Sequence, residues 1–316
     1  MRSSAKSGPI FTKGPHEEGR PPVAAIRDSV LGIIGGSGLY EIEGLIDTSW
    51  RAVESPFGTP SDDFLFGRIG GKKVVFCPRH GRGHRLPPGA VDYRANIDAL
   101  KRAGVTEILS ISAVGSLDEE LAPGTFVIVD QFIDRTVARP ASFFGTGMVA
   151  HVSMAHPVCA RLGAMVEAEA RARGIPTKRG GTYLAMEGPQ FSTLAESELY
   201  RSWGAQVIGM TNMPEARLAR EAEMCYAAIA MVTDYDCWRE GHEDVTVDAV
   251  VAIMAANADA ARGLIGALAP ALTDAPDPCP EGCHRALDQA LITAPEVRDP
   301  AVCARLDAVA GRVLGG

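Results

Sequence analysis

The chain has 316 residues, 46% hydrophobic and 22% charged, with a net charge of −8. That is ordinary globular composition with ample material for a core, and it excludes fibrous or disordered classes. With no block of Lys or Arg, nucleic acid and anionic membrane are poor partners, so any bound anion must be held by a few placed groups.

Residues 1–29 are rich in Pro, Gly and charge without periodicity and read as a flexible leader. Order is expected from Val30-Leu31-Gly32-Ile33-Ile34, a short apolar strand running into Gly35-Gly36-Ser37-Gly38. Glycines directly after a strand let backbone N–H groups turn toward an anion, with the Ser37 hydroxyl as a further donor. A dinucleotide fingerprint fails on spacing, because its third glycine would fall at Glu41. A plain tight turn and a phosphate loop both stay open.

Residues 64–69 and 73–77, joined around Gly70-Gly71, read as a β-hairpin. It leads into Pro78-Arg79-His80-Gly81-Arg82-Gly83-His84-Arg85, the one concentrated cationic stretch. Arginine suits a two-pronged grip on phosphate or carboxylate, which favours an oxyanion site over a solvated basic loop. Metal binding by His80 and His84 is disfavoured, since no acidic or cysteine ligand lies beside them.

Residues 92–103 read as a helix stopped by Gly104, and 107–113 as a strand running into the small residues Ser112-Ala113-Val114-Gly115-Ser116. A strand at 125–129, a helix at 157–173 and a strand at 181–186 follow. Glu187-Gly188-Pro189-Gln190-Phe191 is a loop, and Thr193-x-x-Glu196 is a capping box that opens the next helix. Val207-Ile208-Gly209 leads to Met210-Thr211-Asn212-Met213-Pro214, where Pro214 suits a first helical turn. Residues 226–233 form an apolar strand that delivers Asp234 and Asp236 to its exit, spaced to share one face. Such a pair is either a loop feature or a titrating site, and a useful acid needs burial or a negative neighbour to lift it from ~3.9. A long helix runs from about residue 247 to 268.

Residues 271–316 change character and read as a tail capping the domain. Cys279-Pro280-Glu281-Gly282-Cys283-His284 lacks the second ligand pair of a zinc module, so no metal is expected. The seven cysteines are scattered and odd in number, unlike a secreted disulfide framework. No apolar run is expected to reach the roughly 18 residues of a membrane span, and a cytoplasmic location is the default.

Alternating strands and helices, with small or polar groups recurring at strand exits, indicate α/β architecture with one catalytic domain over 30–270 and a site at one sheet edge. A glycine-serine turn, an Arg-His loop and a Met-Thr-Asn turn could hold a phosphate, and two carboxylates could protonate a leaving group. Attack of an anion with protonation of a departing base is a phosphorolysis.

Six ordered motifs then carry a resemblance across nearly all of 31–270. They are Gly32-Ile33-Ile34-Gly35-Gly36-Ser37-Gly38-Leu39, Pro56-Phe57-Gly58-Thr59-Pro60-Ser61, Arg79-His80-Gly81-Arg82, Asp130-Gln131-Phe132-Ile133-Asp134-Arg135-Thr136, Glu187-Gly188-Pro189-Gln190-Phe191-Ser192 and Thr233-Asp234-Tyr235-Asp236-Cys237-Trp238. Together they resemble the S-methyl-5′-thioadenosine phosphorylases, a family among the trimeric purine nucleoside phosphorylases. The resemblance implies a single domain with a central mixed, partly barrel-like β-sheet flanked by helices. It implies a homotrimer with sites near subunit interfaces, and inorganic phosphate as co-substrate with no cofactor. The implied reaction cleaves S-methyl-5′-thioadenosine to adenine and 5-methylthioribose 1-phosphate, in purine and methionine salvage.

By the same resemblance, phosphate would be bound by Ser37, Arg79, His80, the Ser112-Ala113 turn and Thr211. Met210 would lie beneath the ribose and Ser192 near the base, with Asp236 sharing a proton with adenine N7 and Asp234 accepting from the exocyclic amine. Val247 and Val250 would line an apolar 5′ pocket, and His151 would reach in from a neighbouring subunit. The family commonly has Thr where this chain has Ser37 and Ser112, which keeps the hydroxyl and loses a methyl contact. A carboxylate acceptor favours a 6-amino purine over a 6-oxo purine by roughly tenfold to a hundredfold. The rival readings are a phosphorylase of inosine, guanosine or methylthioinosine, a dinucleotide-dependent oxidoreductase, and a catalytically silent adenosine-binding protein.

Overall fold

A computed structural model describes residues 29–36, 38–239, 247–272, 279 and 282–315, with backbone alone at 247–250. The expected leader at 1–29 falls almost wholly outside these residues. Four strands form the first part of the sheet: β1 (Val30–Gly35), β2 (Leu45–Arg51), β3 (Phe64–Ile69) and β4 (Lys72–Pro78). After helix α1 (Tyr93–Arg102) come β5 (Val105–Ser116), β6 (Phe126–Val129) and β7 (Gln131–Asp134). Helix α2 (Ala160–Ala172), β8 (Thr177–Arg179), β9 (Thr182–Ala185), α3 (Leu194–Ser202), β10 (Val207–Gly209) and α4 (Glu215–Glu221) follow. The chain continues with β11 (Cys225–Tyr235), α5 (Val247–Ala271), α6 (Pro300–Arg305) and α7 (Asp307–Leu314).

All eleven strands belong to one mixed sheet with the path β2-β3-β4-β1-β5-β10-β9-β7. The sheet is open, and its departure from a simple ribbon is a branch at β5, which also pairs with β11, itself joined to β6 and then β8. The expected hairpin is β3–β4, antiparallel with Leu65 opposite Phe76. Strand β1 runs parallel to both β4 and β5, and β11 runs parallel to β5. These four strands therefore end at one edge.

Residues alternate between the two faces of a strand, and β11 shows the consequence. Tyr226, Ala228, Ala230 and Val232 pack with Ile97 and Leu100 of α1 and Leu218 of α4. Cys225, Ala227, Ile229 and Met231 pack with Leu162 and Val166 of α2 and Leu264, Ile265 and Leu268 of α5. The sheet is thus covered on both faces, which is why its central strands read as unbroken apolar runs.

The short strands β7 and β8 were not expected from the sequence, and two further departures bear on the architecture. Strand β2 is mostly exposed and pairs only with β3, so it carries no apolar pattern to announce it. In α5 the 21 residues Val251–Ala271 are long and apolar enough to cross a membrane, contrary to the expectation that no run would be. Its Ala261, Leu264, Ile265, Leu268 and Ala269 are fully buried against the sheet, the use a core helix makes of such composition. Beyond α5, Leu306, Val309 and Ala310 are buried in the cluster that holds α1, and Arg102 pairs with Asp307 at 2.5 Å.

Candidate active site

The parallel strands deliver their exits side by side. Arg79 follows β4, and its backbone N–H donates to the Gly35 carbonyl at the end of β1 at 3.1 Å. Pairing of β11 with β5 sets Ala230 opposite Ser112 and Met231 opposite Ala113, then slips by one residue so that Asp234 faces Gly115. The extra residue, Thr233, is a bulge of the kind that re-aims a strand exit. Asp236 lies just beyond, its N–H donating to the Ser116 carbonyl at 2.9 Å. Strand β10 runs antiparallel to β5 and turns at Met210-Thr211-Asn212 alongside its middle.

Arg79 is the anchor of this edge and is only 2% exposed. Nε donates to Glu215 Oε2 at 3.0 Å, Nη1 to the Ile111 carbonyl at 3.0 Å, and Nη2 to Ser110 Oγ at 2.6 Å and Glu215 Oε1 at 3.3 Å. Of the five N–H donors of a guanidinium, one on Nη1 is left over. The two-pronged grip expected of Arg79 is therefore spent on Glu215, because a guanidinium this deep needs a carboxylate beside it. Burial alone would raise the Glu215 pKa, but Arg79, Ser110 and Tyr226 together hold it below its ordinary value. The other two arginines of the cationic stretch turn to the surface and converge on Asp62, with Arg82 at 2.6 Å and Arg85 at 3.1 Å.

His80 stacks on His84 with ring centroids 4.5 Å apart. Its Nδ1 lies 2.9 Å from the Leu86 carbonyl, which can only accept, so Nδ1 carries the proton and Nε2 is left as an acceptor. Burial first, and then the positive charge of Arg79, push its pKa down to about 4. The free imidazole is neutral at physiological pH.

Thr211 is buried beside Tyr183, with the two hydroxyls 3.2 Å apart. This approach requires Gly209, since a Cβ there would meet the Tyr183 hydroxyl at 2.0 Å. Met210 packs against Gly188, whose φ of +67° and whose 2.5 Å from a virtual Cβ to the Met210 sulfur leave room for nothing larger. Arg139 ties these loops together. It donates to the carbonyls of Met210, Met213 and Glu187, at 2.8, 2.8 and 2.7 Å, and its Nε to Glu187 Oε1 at 2.9 Å.

Near the acids, Thr233 donates to Asp234 Oδ1 at 2.7 Å. The Cys237 thiol donates to the Ser192 carbonyl at 3.5 Å, which brings the Ser192 loop to the exit of β11. Trp238 is buried and donates from Nε1 to the Ser116 carbonyl at 2.8 Å.

Three buried polar atoms on this edge have no hydrogen-bond partner among the described residues: Ser112 Oγ, Asn212 Nδ2 and Asp236 Oδ2. Buried polar groups are nearly always satisfied, and of the eleven unpartnered buried polar atoms among the described residues these three lie where β5, β10 and β11 converge, which makes this edge the place for a ligand to complete the bonding. Ala113 is exposed between the buried Ser112 and Val114, as a residue facing a cleft would be.

Of the expected residues, Arg79, His80, Thr211, Met210, Ser192 and Asp236 lie on these converging loops and Asp234 near the end of β11, whereas Ser112 and Ala113, expected in a turn, lie within β5, which runs on to Ser116. Ser37 and the side chains of Val247 and Val250 fall outside the described residues. His151 is exposed and lines a separate groove of about 410 Å³ with Arg217 and Glu221. The sequence reading did not single out Glu215, Ser110, Tyr183 or Arg139. Glu215 adjoins the Met-Thr-Asn turn and was within reach, whereas nothing around Arg139 announces its task. Among the described residues, the one cluster of three or more metal-competent side chains is made of four cysteines on the α2 and α5 face.

Residues 30–269 match the phosphorylase superfamily. An S-methyl-5′-thioadenosine phosphorylase of Rhodospirillum rubrum is 64% identical over 291 residues, covering 92% of this chain and 99% of that protein. One from Cereibacter sphaeroides is 62% identical over 288 residues, covering 91% and 99%. Among solved structures, a methylthioadenosine phosphorylase from an antarctic soil metagenomic library superposes with a TM-score of 0.84 at 45% identity, over 90% of this chain and 99% of that one. The Schistosoma mansoni methylthioadenosine phosphorylase in complex with tubercidin gives 0.74 at 37% identity, over 82% and 97%.

Proposed function

Because this chain belongs to the S-methyl-5′-thioadenosine phosphorylases of the phosphorylase superfamily, we infer that it catalyses phosphate-dependent cleavage of S-methyl-5′-thioadenosine to adenine and 5-methylthioribose 1-phosphate. The observation that carries the assignment of roles is the set of unsatisfied buried atoms, Ser112 Oγ, Asn212 Nδ2 and Asp236 Oδ2, at one sheet edge. Donors on one side suit an oxyanion, and an open carboxylate oxygen on the other suits a purine ring nitrogen.

In this reading phosphate lies over Ser112 and Ala113 of β5 and takes hydrogen bonds from Ser112 and Thr211. Arg79 contributes its field and one spare N–H. The neutral His80 offers Nε2 as an acceptor, so it engages the protonated oxygen of the phosphate. As the glycosidic bond stretches, C1′ gains oxocarbenium character and phosphate oxygen attacks it. The bonding electrons leave on the purine, and Asp236 delivers or shares a proton at N7 while Asp234 accepts from the 6-amino group. Met210, held by Gly188, forms the floor under the ribose.

A trimer completes the reading. His151 lies in a groove apart from the Arg79 loops, which suits a residue that serves the site of a neighbouring subunit. Val137 and Phe191, 85% and 84% exposed, are apolar residues on loops beside the site that a neighbour would cover.

The deciding experiment is adenine release from methylthioadenosine with phosphate omitted and restored, with adenosine, inosine and methylthioinosine in parallel. Asp236→Asn separates proton transfer from hydrogen bonding, since the amide still donates to N7 but delivers no proton. Turnover should fall about 10²- to 10⁴-fold with a smaller change in KM. Near-normal turnover removes Asp236 from the acid role.

A further inference from the structure

We propose that Cys159, Cys225, Cys279 and Cys283 form a closed tetrathiolate site for a single zinc ion. All four are buried, and their Sγ atoms lie within 4.8 Å of one another. The Cys159 and Cys279 sulfurs are 3.3 Å apart and those of Cys279 and Cys283 3.1 Å. These separations are well beyond the ~2.05 Å of a disulfide. They bracket, with the 4.8 Å limit, the edge of about 3.8 Å that follows from Zn–S bonds of ~2.3 Å in a tetrahedron.

The chain builds this arrangement from three places. Cys159 caps the start of α2, and its N–H donates to the Tyr226 carbonyl at 2.8 Å, which sets it beside Cys225 at the start of β11. The period of two along β11 turns Cys225 toward α2, away from the Arg79–Glu215 face. Cys279 and Cys283 come from the segment after α5. There Gly282, with φ of +66°, donates its N–H to the Cys279 carbonyl at 2.8 Å and turns the chain back so that both thiols point inward.

The surroundings suit a charged cluster better than four neutral thiols. Binding one Zn²⁺ releases the four thiol protons and leaves a net charge of −2, which has to be compensated in a buried site. Arg220 Nη1 donates to Cys283 Sγ at 3.4 Å, Arg161 Nη2 approaches Cys225 Sγ at 3.9 Å, and the Leu162 N–H donates to Cys159 Sγ at 3.4 Å. Arg161 is also ion-paired with the buried Glu107, so the compensating charge comes chiefly from Arg220, and the helix-start N–H adds the kind of outer-shell bond that thiolates require. Four protein ligands leave no open position, so the ion is structural. Cys225 and Asp234 are nine residues apart along one strand, about 30 Å at ~3.3 Å per residue, which keeps the site clear of the chemistry. Its role is to pin the C-terminal segment to α2 and β11.

The test uses the untagged full-length chain, purified reduced and dialysed. Elemental analysis should find about one zinc per chain. Cobalt substitution should give the charge-transfer and d–d absorption of tetrahedral cobalt thiolate. Cys279→Ser and Cys283→Ser should lose the metal, whereas Cys303→Ser, outside the cluster, should keep it. Arg220→Ala keeps all four ligands and should weaken zinc about 10- to 100-fold in competition with a chelator. The wild-type metal content and cobalt spectrum decide the matter even if the serine variants fold poorly. Reduced wild-type chain that takes up neither zinc nor cobalt overturns the proposal, as does a disulfide among the four cysteines or an iron–sulfide cluster in their place.

Discussion

Glu215→Gln is the substitution that most directly tests how the phosphate edge is held. In the native chain Glu215 accepts from Arg79, Ser110 and Tyr226, and the side chains of Arg79 and Glu215 are 2% and 3% exposed. Glutamine keeps the shape but turns an NH₂ group toward N–H donors and leaves the Arg79 charge uncompensated in the core. Breaking a buried pair in this way costs about 3–5 kcal/mol. For a chain of this size that is a fall in Tm of roughly 5–8 °C. The double variant Arg79→Met with Glu215→Gln removes both charges and should recover most of that loss, because the penalty is the stranded charge and not the missing attraction. Both variants should raise the phosphate KM, so stability and phosphate affinity part company. Thermal unfolding and steady-state kinetics at varied phosphate decide it. A single variant within ~1 kcal/mol of wild type, or a double variant as unstable as the single, would refute the reasoning.

Three further outcomes follow from the geometry. The His80 imidazole should stay neutral in the free protein down to pH about 4 by NMR titration. The unfolded chain then binds the extra proton between pH ~6.5 and 4, so this residue's share of stability is whole above ~6.5 and lost on acidification, and His80→Gln should flatten that slope. Glu221 has the opposite sign. Burial lifts its pKa to about 7 despite the Phe143 N–H and Ser142 hydroxyl, so its share is whole below ~4.5 and lost as pH rises through 7. Glu221→Gln should make stability flatter between those values in denaturant titrations, and an unchanged slope counts against the buried carboxyl. Gly188→Ala forces a side chain into positive φ and onto the Met210 sulfur, at a cost of order 1–3 kcal/mol. It should raise the nucleoside KM more than the phosphate KM, and equal changes would show that Met210 is not the ribose floor.

Much of the fold could be read from periodicity. The β3–β4 hairpin, α1 ending before Gly104, the Thr193–Glu196 capping box and the apolar β11 are all local patterns, and each is present. Strand β2 was not readable because an edge strand that buries little needs no apolar alternation. At the site, Asp234, Asp236, Thr211 and His80 stood out as reactive side chains at strand exits. Arg79 stood out too, but not its commitment to Glu215, which lies 136 residues further on. Arg82 and Arg85 looked equally suited to an anion until the fold gave them Asp62.

Sequence alone determined the family, the layered α/β architecture and the residue types gathered at the strand exits, because these rest on local propensity and on the order of short motifs. The tertiary structure decided which donors remain open for a ligand and which are consumed internally. It likewise brought Cys159 and Cys225 to the Cys279–Cys283 pair, supplying the second ligand pair that spacing along the chain does not show. Hydrogen-bond and metal-ligand geometry are set by distances of a few ångströms between residues far apart in sequence, and those distances exist only once the sheet has assembled.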